Sequence, residues 1–258
     1  MSKLITIFGA TGNQGGSIID AILADNQLSK EFKIRGITRD TTKKSAQELA
    51  KRGVDVVSEI MNPDIEFSQG KNVTDVSKAI GVSHLIFSSL YHVTEETKGR
   101  LSHVPHFDSK ANIEKYIRAS GVGCSFVLPA LLPGGKAGSF PLFDAAQDTG
   151  LFVRAALKHA GQLKDKQILA AAKYYTPEEI VDTFSKVTGK KAVFVQVSSD
   201  QYKASLPAAV ADEYLENQLF VEEPGYYLGE PLEPSLSLLD GKPTTWEEFV
   251  KKNVSAWK

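Results

Sequence analysis

Leu4-Ile5-Thr6-Ile7-Phe8 stops at a glycine-rich turn, Gly9-Ala10-Thr11-Gly12-Asn13-Gln14-Gly15-Gly16. A helical pattern follows, in which Ile18 pairs with Ile22 and Ile19 with Leu23. A short apolar run bounded by glycine suits a buried parallel strand, and apolar pairs four apart make one face of a helix. Strand, tight turn and helix in that order are what a dinucleotide site needs. One glycine permits the turn, a second lets the backbone approach a pyrophosphate, and a third lets helix and strand pack closely. The helix N-terminus adds free N–H groups and a positive dipole end. Gly9, Gly12 and Gly15 are spaced G-x-x-G-x-x-G rather than G-x-G-x-x-G. A glycine triplet alone is weak evidence, but between a clean strand and a clean helix it predicts a nucleotide cofactor.

The second strand is predicted over Phe32–Arg39 and ends in Thr38-Arg39, with Lys43 and Lys44 close behind. An acid at this strand end holds the ribose 2′-hydroxyl of NAD, whereas an arginine accommodates the 2′-phosphate of NADP. Arg39 therefore favours NADP. Asp40, one residue later, is the competing feature, because it could serve NAD instead.

Charge and length narrow the class. With 258 residues, 42% of them hydrophobic, the chain can bury a sizeable core as one α/β domain or one plus a smaller lobe. A formal net charge of −1 without a long basic run argues against direct contact with nucleic acid or an anionic membrane. The single cysteine, Cys124, excludes an internal disulfide and reads as a buried apolar residue in a reducing compartment. No leader segment and no bilayer-length apolar run stand out, so the expected location is cytoplasmic, with the nucleus as a further site.

Further along, Thr42–Arg52 reads as helix and Val54–Val57 as a third strand. The interval between Val57 and Val73 is polar, contains Pro63, and is half the roughly 30 residues that a helix-plus-strand unit needs. A unit of the doubly wound sheet is thus missing near residues 58–72. Helix is predicted again over Val73–Ile80 and Pro105–Ser120, and strand over His84–Phe87 and Gly123–Leu128. A loop over Pro133–Gly138 divides an expected Rossmann-type region, 1–130, from a C-terminal lobe, 131–258. In that lobe Asp148–Lys158, Thr176–Val187, Ser205–Leu219 and Thr245–Ala256 read as helices and Ala192–Val197 as a strand. Thr176 and Glu179 form a capping box. The fold class expected is α/β, a Rossmann-type doubly wound parallel sheet with a smaller C-terminal α/β lobe. Tyr226, Tyr227, Trp246 and Phe249 are read as core rather than as pocket lining.

The segments IFGATGNQGGS, ITRD, QGKNVTDVSKAIGVSHLIFSS, HFDSKANIEKYIRASGV and PLFDAAQDTGLFV resemble the NmrA-like group of atypical short-chain dehydrogenase/reductases over most of the chain. That group includes fungal nitrogen-metabolite regulators and a human NADPH sensor. The resemblance implies NADP(H) binding, with Gly9, Thr11, Gly12, Asn13, Gln14 and Gly15 at the pyrophosphate and neighbouring groups. It places Arg39 and Lys43 at the 2′-phosphate and Lys110 near the ribose. It also implies a redox-sensing role exerted through a transcription factor or another regulatory protein, with a homodimer as a further partner state. Two departures stand out: the group's fourth strand with its aromatic loop, ahead of QGKNV, is absent, and the stretch between Leu128-Pro129-Ala130 and PLFDAAQD is short.

Catalysis is the rival reading. Short-chain reductases use a tyrosine followed four residues later by a lysine, on one helical face, so that the lysine lowers the tyrosine's pKa. No tyrosine here has lysine at that spacing; His106 and Lys110 occupy the two positions, and Ser88 lies at a strand end. Histidine can pass a proton near neutral pH, which keeps an NADPH-dependent quinone or carbonyl reductase as the alternative. The favoured reading assigns no catalytic residue. His103 and His106 lack further metal ligands, no metal is expected, and Asp148 reads as a helix cap. A third reading is a shortened form acting by dimerising with, or competing against, a longer relative.

Overall fold

The computed structural model describes residues 2–58, 66–130 and 139–257. The expected α/β architecture with parallel sheets is what the chain adopts. β1 (Lys3–Phe8) leads through the glycine turn into α1 (Asn13–Ala24). A single turn, α2 (Leu28–Glu31), feeds β2 (Phe32–Thr38), and α3 (Lys44–Lys51) feeds β3 (Asp55–Ser58). The three strands form one parallel sheet in the order β1-β2-β3, with Ile5 opposite Ile34 and Ile7 opposite Gly36. Ile7, Ile19, Ile22, Ile34 and Leu49 bury a core between sheet and helices.

A second set of elements follows: α4 (Glu66–Ala79), β4 (Leu85–Ser88), α5 (Val93–Glu96), α6 (Pro105–Ser120), β5 (Cys124–Pro129), β6 (Phe140–Leu142), α7 (Thr149–Lys158), β7 (Lys166–Ala170) and β8 (Lys173–Tyr175). β4, β5 and β7 form another three-stranded parallel sheet, and β6 pairs antiparallel with β8. α8 (Pro177–Thr188), α9 (Ser199–Ala204), α10 (Ala208–Phe220), α11 (Glu233–Leu236) and α12 (Trp246–Lys252) complete the chain. The principal core runs from Phe107, Ile113 and Phe126 to Phe220 and Tyr227. Tyr227 donates to the Leu128 carbonyl at 2.6 Å and Tyr226 to the Pro129 carbonyl at 2.8 Å, so these aromatics are core, as expected.

Among the described residues no ladder joins β1 to β4, and the sheet is two sheets. β1 should then be an edge strand, and its burial fits: Leu4 is 56% and Phe8 39% exposed. All four residues of β4 are only half-buried. The halves are joined by helix packing. α1 lies against α7, sharing Ile18 and Leu157, and the Lys158 ammonium stands 2.6 Å from Asp25.

Several boundaries differ from expectation. The helix expected from Val73 begins at Glu66, part of the short interval at 58–72 (residues 59–65) and the whole Pro133–Gly138 loop lie outside the described residues, and the third strand runs Asp55–Ser58. The helix expected over Ser205–Leu219 is α10, Ala208–Phe220, preceded by the short α9 that no pattern announced, and the last helix is shorter than Thr245–Ala256. Ala192–Val197 is not a strand. It is extended, but among the described residues no strand lies beside it, and a strand needs a partner for its backbone groups. Asp148 holds the N-terminal position of α7 without capping it. Its carboxylate instead accepts from the Thr244 N–H at 2.8 Å and the Thr244 hydroxyl at 3.0 Å, tying the last loop to α7.

Candidate functional site

The glycine turn follows the carboxyl end of β1, and each glycine there answers to a different constraint. Gly9 takes a left-handed conformation, φ +64°, which disfavours any residue with a Cβ. Its carbonyl accepts from the Gly12 N–H at 2.9 Å. A Cβ at Gly15 would lie 2.2 Å from the Gly9 carbonyl oxygen, so only glycine lets α1 start this close to the turn.

Gly12 sits at the N-cap with no side chain to satisfy the helix donors, and the first turn of α1 carries no acid. The early N–H groups of α1, at Asn13, Gln14 and Gly15, have no helical acceptor behind them. Thr11, Gly12 and Asn13 are exposed. The result is an open, electropositive helix end framed by backbone, an arrangement that can hold an anion.

β2 delivers the next groups. Ala10 N–H donates to the Ile37 carbonyl at 3.0 Å, and the Thr11 and Thr38 hydroxyls lie 3.1 Å apart, so the turn is stitched to the end of β2. Arg39 and Lys43 follow, both exposed and with no ion pair among the described residues. Asp40 is turned away from a ligand role. Its carboxylate accepts from the Thr42 hydroxyl at 2.6 Å and the Thr42 N–H at 2.9 Å, and these bonds hold it below the usual carboxylate range.

α6 carries the other named positions. Pro105 starts this helix and Gly121, at φ +78°, ends it. Lys110 lies over the Phe87 ring of β4, 5.9 Å from its centre, and bonds Glu66 at 2.7 Å. His106, one turn earlier, holds Glu213 of α10 at 2.5 Å and packs edge-on against Phe107. Each of the two thus has a carboxylate partner, 44 and 107 positions away in the chain, that no local pattern announced. Gly9 through Gly15, Arg39 and Lys43 are brought together at the ends of β1 and β2; Lys110 stands on the other half of the molecule.

Five tyrosines are tuned away from acid chemistry. Burial pushes Tyr91 and Tyr174 up to about 12 and raises Tyr202, Tyr226 and Tyr227 as well. Cys124 is buried, its thiol pushed up to about 12 by desolvation and by a bond to Asp165, which leaves it unreactive. Among the described residues no cluster of His, Cys, Asp and Glu could hold a metal, and no helix is long and apolar enough to cross a membrane. Reading the sequence had missed a polar knot in which His92 lies 3.0 Å from Asp108, itself bonded to Thr94; only the fold brings Asp108 to α5.

The model of the NmrA-like family matches residues 1–137 and 132–250. An NmrA-like family domain-containing oxidoreductase of Malbranchea aurantiaca, malD, is 30% identical, with 76% of each chain covered. A Dictyostelium discoideum NmrA-like family domain-containing protein is 25% identical over 307 residues, covering 98% of both chains. That alignment is longer than the 258 residues here, so the relative carries residues without a counterpart in this chain. Among solved structures, a doubly substituted NmrA superposes with a TM-score of 0.80 at 18% identity, covering 100% of this chain and 97% of the other. NmrA in complex with NADP, described as a negative transcriptional regulator, gives 0.74 at 18% identity, with 99% and 96% covered.

Proposed function

The chain belongs to the NmrA-like family, and from that premise we propose that it binds NADP(H) and works as a redox-sensing regulator rather than as a reductase. The observation that carries the cofactor is the glycine cradle. The clash that any Cβ at Gly15 would make, and the uncapped start of α1, fit a pyrophosphate drawn against backbone N–H groups. Gly9, Thr11, Gly12, Asn13, Gln14 and Gly15 would hold it, with Arg39 and Lys43 on the 2′-phosphate. Asp40, committed to Thr42, does not compete for that position. NADPH, when bound, supplies reducing equivalents; nothing in this chain's residues needs to consume them for a sensor to work.

The regulatory half rests on α6. Lys110 and His106 are both engaged by carboxylates, and no perturbed tyrosine is lowered. The relatives support it in kind, since NmrA is described as a transcriptional regulator. A transcription factor or another regulatory protein would read the cofactor state, which requires that the oxidised and reduced forms favour different states of this protein. The other relatives, named as oxidoreductases, favour the second reading, a quinone or carbonyl reductase.

Titration calorimetry with NADP⁺ and NAD⁺ is the test. Micromolar NADP⁺ binding with NAD⁺ at least about tenfold weaker is expected, together with no NADPH oxidation over a panel of quinones and carbonyls. Absence of NADP⁺ binding removes the cofactor reading; turnover abolished by His106→Ala replaces the sensor with the reductase.

A further inference from the structure

Residues 192–197 cross the surface as an extended segment with no strand beside it among the described residues. It is held at one end, where the Ala192 N–H donates to the Ser185 hydroxyl at 2.9 Å. At the other end Ser198 caps α9. Between them, the backbone N–H and C=O groups of Val193 to Val197 have no hydrogen-bond partner among the described residues. Phe194 is half-buried in a groove of about 250 Å³ that it lines with Tyr202, Leu215 and Leu219. Val193, Val195 and Val197 are 66%, 68% and 39% exposed.

A flat row of open backbone groups beneath a valine face is a template for another strand. We propose that the occupant is the same segment of a second copy of this chain, running antiparallel across a twofold axis through Val195. About that point Val193 matches Val197, and small residues, Ala192 and Ser198, stand opposite one another. In this register Val195 faces Val195, and Val193 of each copy faces Val197 of the other, so every exposed valine meets a valine on one face.

Charge selects the same direction. Lys190 and Lys191, both exposed, stand at one end of the segment and Asp200, also exposed, at the other. Antiparallel pairing brings the lysines of each copy to the end where Asp200 of the other stands, whereas parallel pairing would set lysine against lysine. The segment is already extended and anchored through Phe194, so little ordering is required on association. A six-residue pairing covers much less than the roughly 800 Å² per partner of a standard interface, so the dimer is weak and reversible. It does not depend on the cofactor reading.

Sedimentation of the whole chain across a concentration series tests this. The mass is expected to rise from 28.1 kDa toward twice that value. Val195→Lys should hold it at the monomer mass with an unchanged circular dichroism spectrum and thermal midpoint. Val195→Cys should cross-link through a short bis-maleimide, without background from the buried Cys124. Lys190→Glu with Lys191→Glu should weaken the dimer at least tenfold, and adding Asp200→Lys should restore it. A chain that stays monomeric, a dimer that survives Val195→Lys, a Val195→Cys protein that does not cross-link, or a charge exchange without rescue each overturns the proposal.

Discussion

The Ser17 hydroxyl accepts a hydrogen bond from the Gly150 N–H at 2.9 Å and donates one to the Gln147 carbonyl at 3.0 Å, which locks α1 against the start of α7. A Cβ at Gly150 would lie 2.1 Å from the Ser17 carbonyl oxygen. Ordinarily, replacing a helical glycine by alanine stabilises by up to about 1 kcal/mol. Here the backbone clash reverses the sign. Gly150→Ala should lose about 1–3 kcal/mol, read as a lower urea midpoint with an unchanged m-value. An unchanged or raised midpoint would mean that α1 and α7 are not in this contact.

Gly15 and Gly9 should separate packing from backbone strain. Gly15→Ala places a Cβ 2.2 Å from a carbonyl oxygen that cannot move without opening the turn, and should abolish NADP⁺ binding. Gly9→Ala meets nothing within 4 Å and suffers only its left-handed φ of +64°, a cost of about 1–2 kcal/mol. Calorimetry should find Gly9→Ala weakened but still binding. Equal loss in both variants would contradict the close helix start.

Arg39 and Lys43 should set the preference between the two nicotinamide cofactors. A charge-assisted contact is worth about 1.5–3 kcal/mol. Arg39→Ala should therefore weaken NADP⁺ roughly tenfold to a hundredfold while leaving NAD⁺ affinity nearly unchanged, with Lys43→Ala smaller in the same sense. Parallel losses for both cofactors would move the 2′-phosphate elsewhere.

Glu66 competes for Lys110. With the two at 2.7 Å, the Glu66 carboxylate neutralises the charge that Lys110 would offer a ligand. Glu66→Gln should tighten NADP⁺ binding several-fold and steepen its salt dependence, both readable in the same titration. Weaker binding would assign Glu66 a positive part in the site.

Acid stability should report the seam between the halves. The Lys158 ammonium and the Leu28 N–H pull Asp25 down from its ordinary 3.8 to about 2. A carboxyl whose folded pKa is depressed contributes stability that is complete above its unfolded pKa. That contribution is lost as the pH falls from about 4 toward 2. Asp25→Asn should lower the thermal midpoint at pH 7 and flatten its decline across that window. Wild-type and variant curves that stay parallel down to pH 2 would dismiss the pair.

Much of this was legible because it is local. The glycine turn, the Thr176–Glu179 capping box and the Pro105 start of α6 each follow from neighbours a few residues apart, and all three are present. β7 went unread: its Lys166-Gln167-Ile168-Leu169-Ala170 has little strand propensity, and pairing with β5 is what makes it a strand. The opposite error came at Ala192–Val197, where valine alternation predicts a strand that finds no neighbour among the described residues. Propensity chooses the extended shape, but only a second strand completes it. Lys110 and His106 lie on the expected helix, yet their carboxylate partners come from distant elements.

The interruption between β1 and β4 bears on cooperativity. A continuous parallel sheet melts as one unit, because each strand's backbone bonds depend on the next. Among the described residues each three-stranded sheet closes its own hydrogen bonds, and the connection between them is mainly one helix pair, so two foldons of different opening free energy are expected in native-state hydrogen exchange. The glycine turn and Arg39 belong to one foldon and Lys110 to the other. A dinucleotide that reached all of them would bridge the seam and couple the two openings into one, supplying from the ligand a cooperativity that the backbone no longer provides.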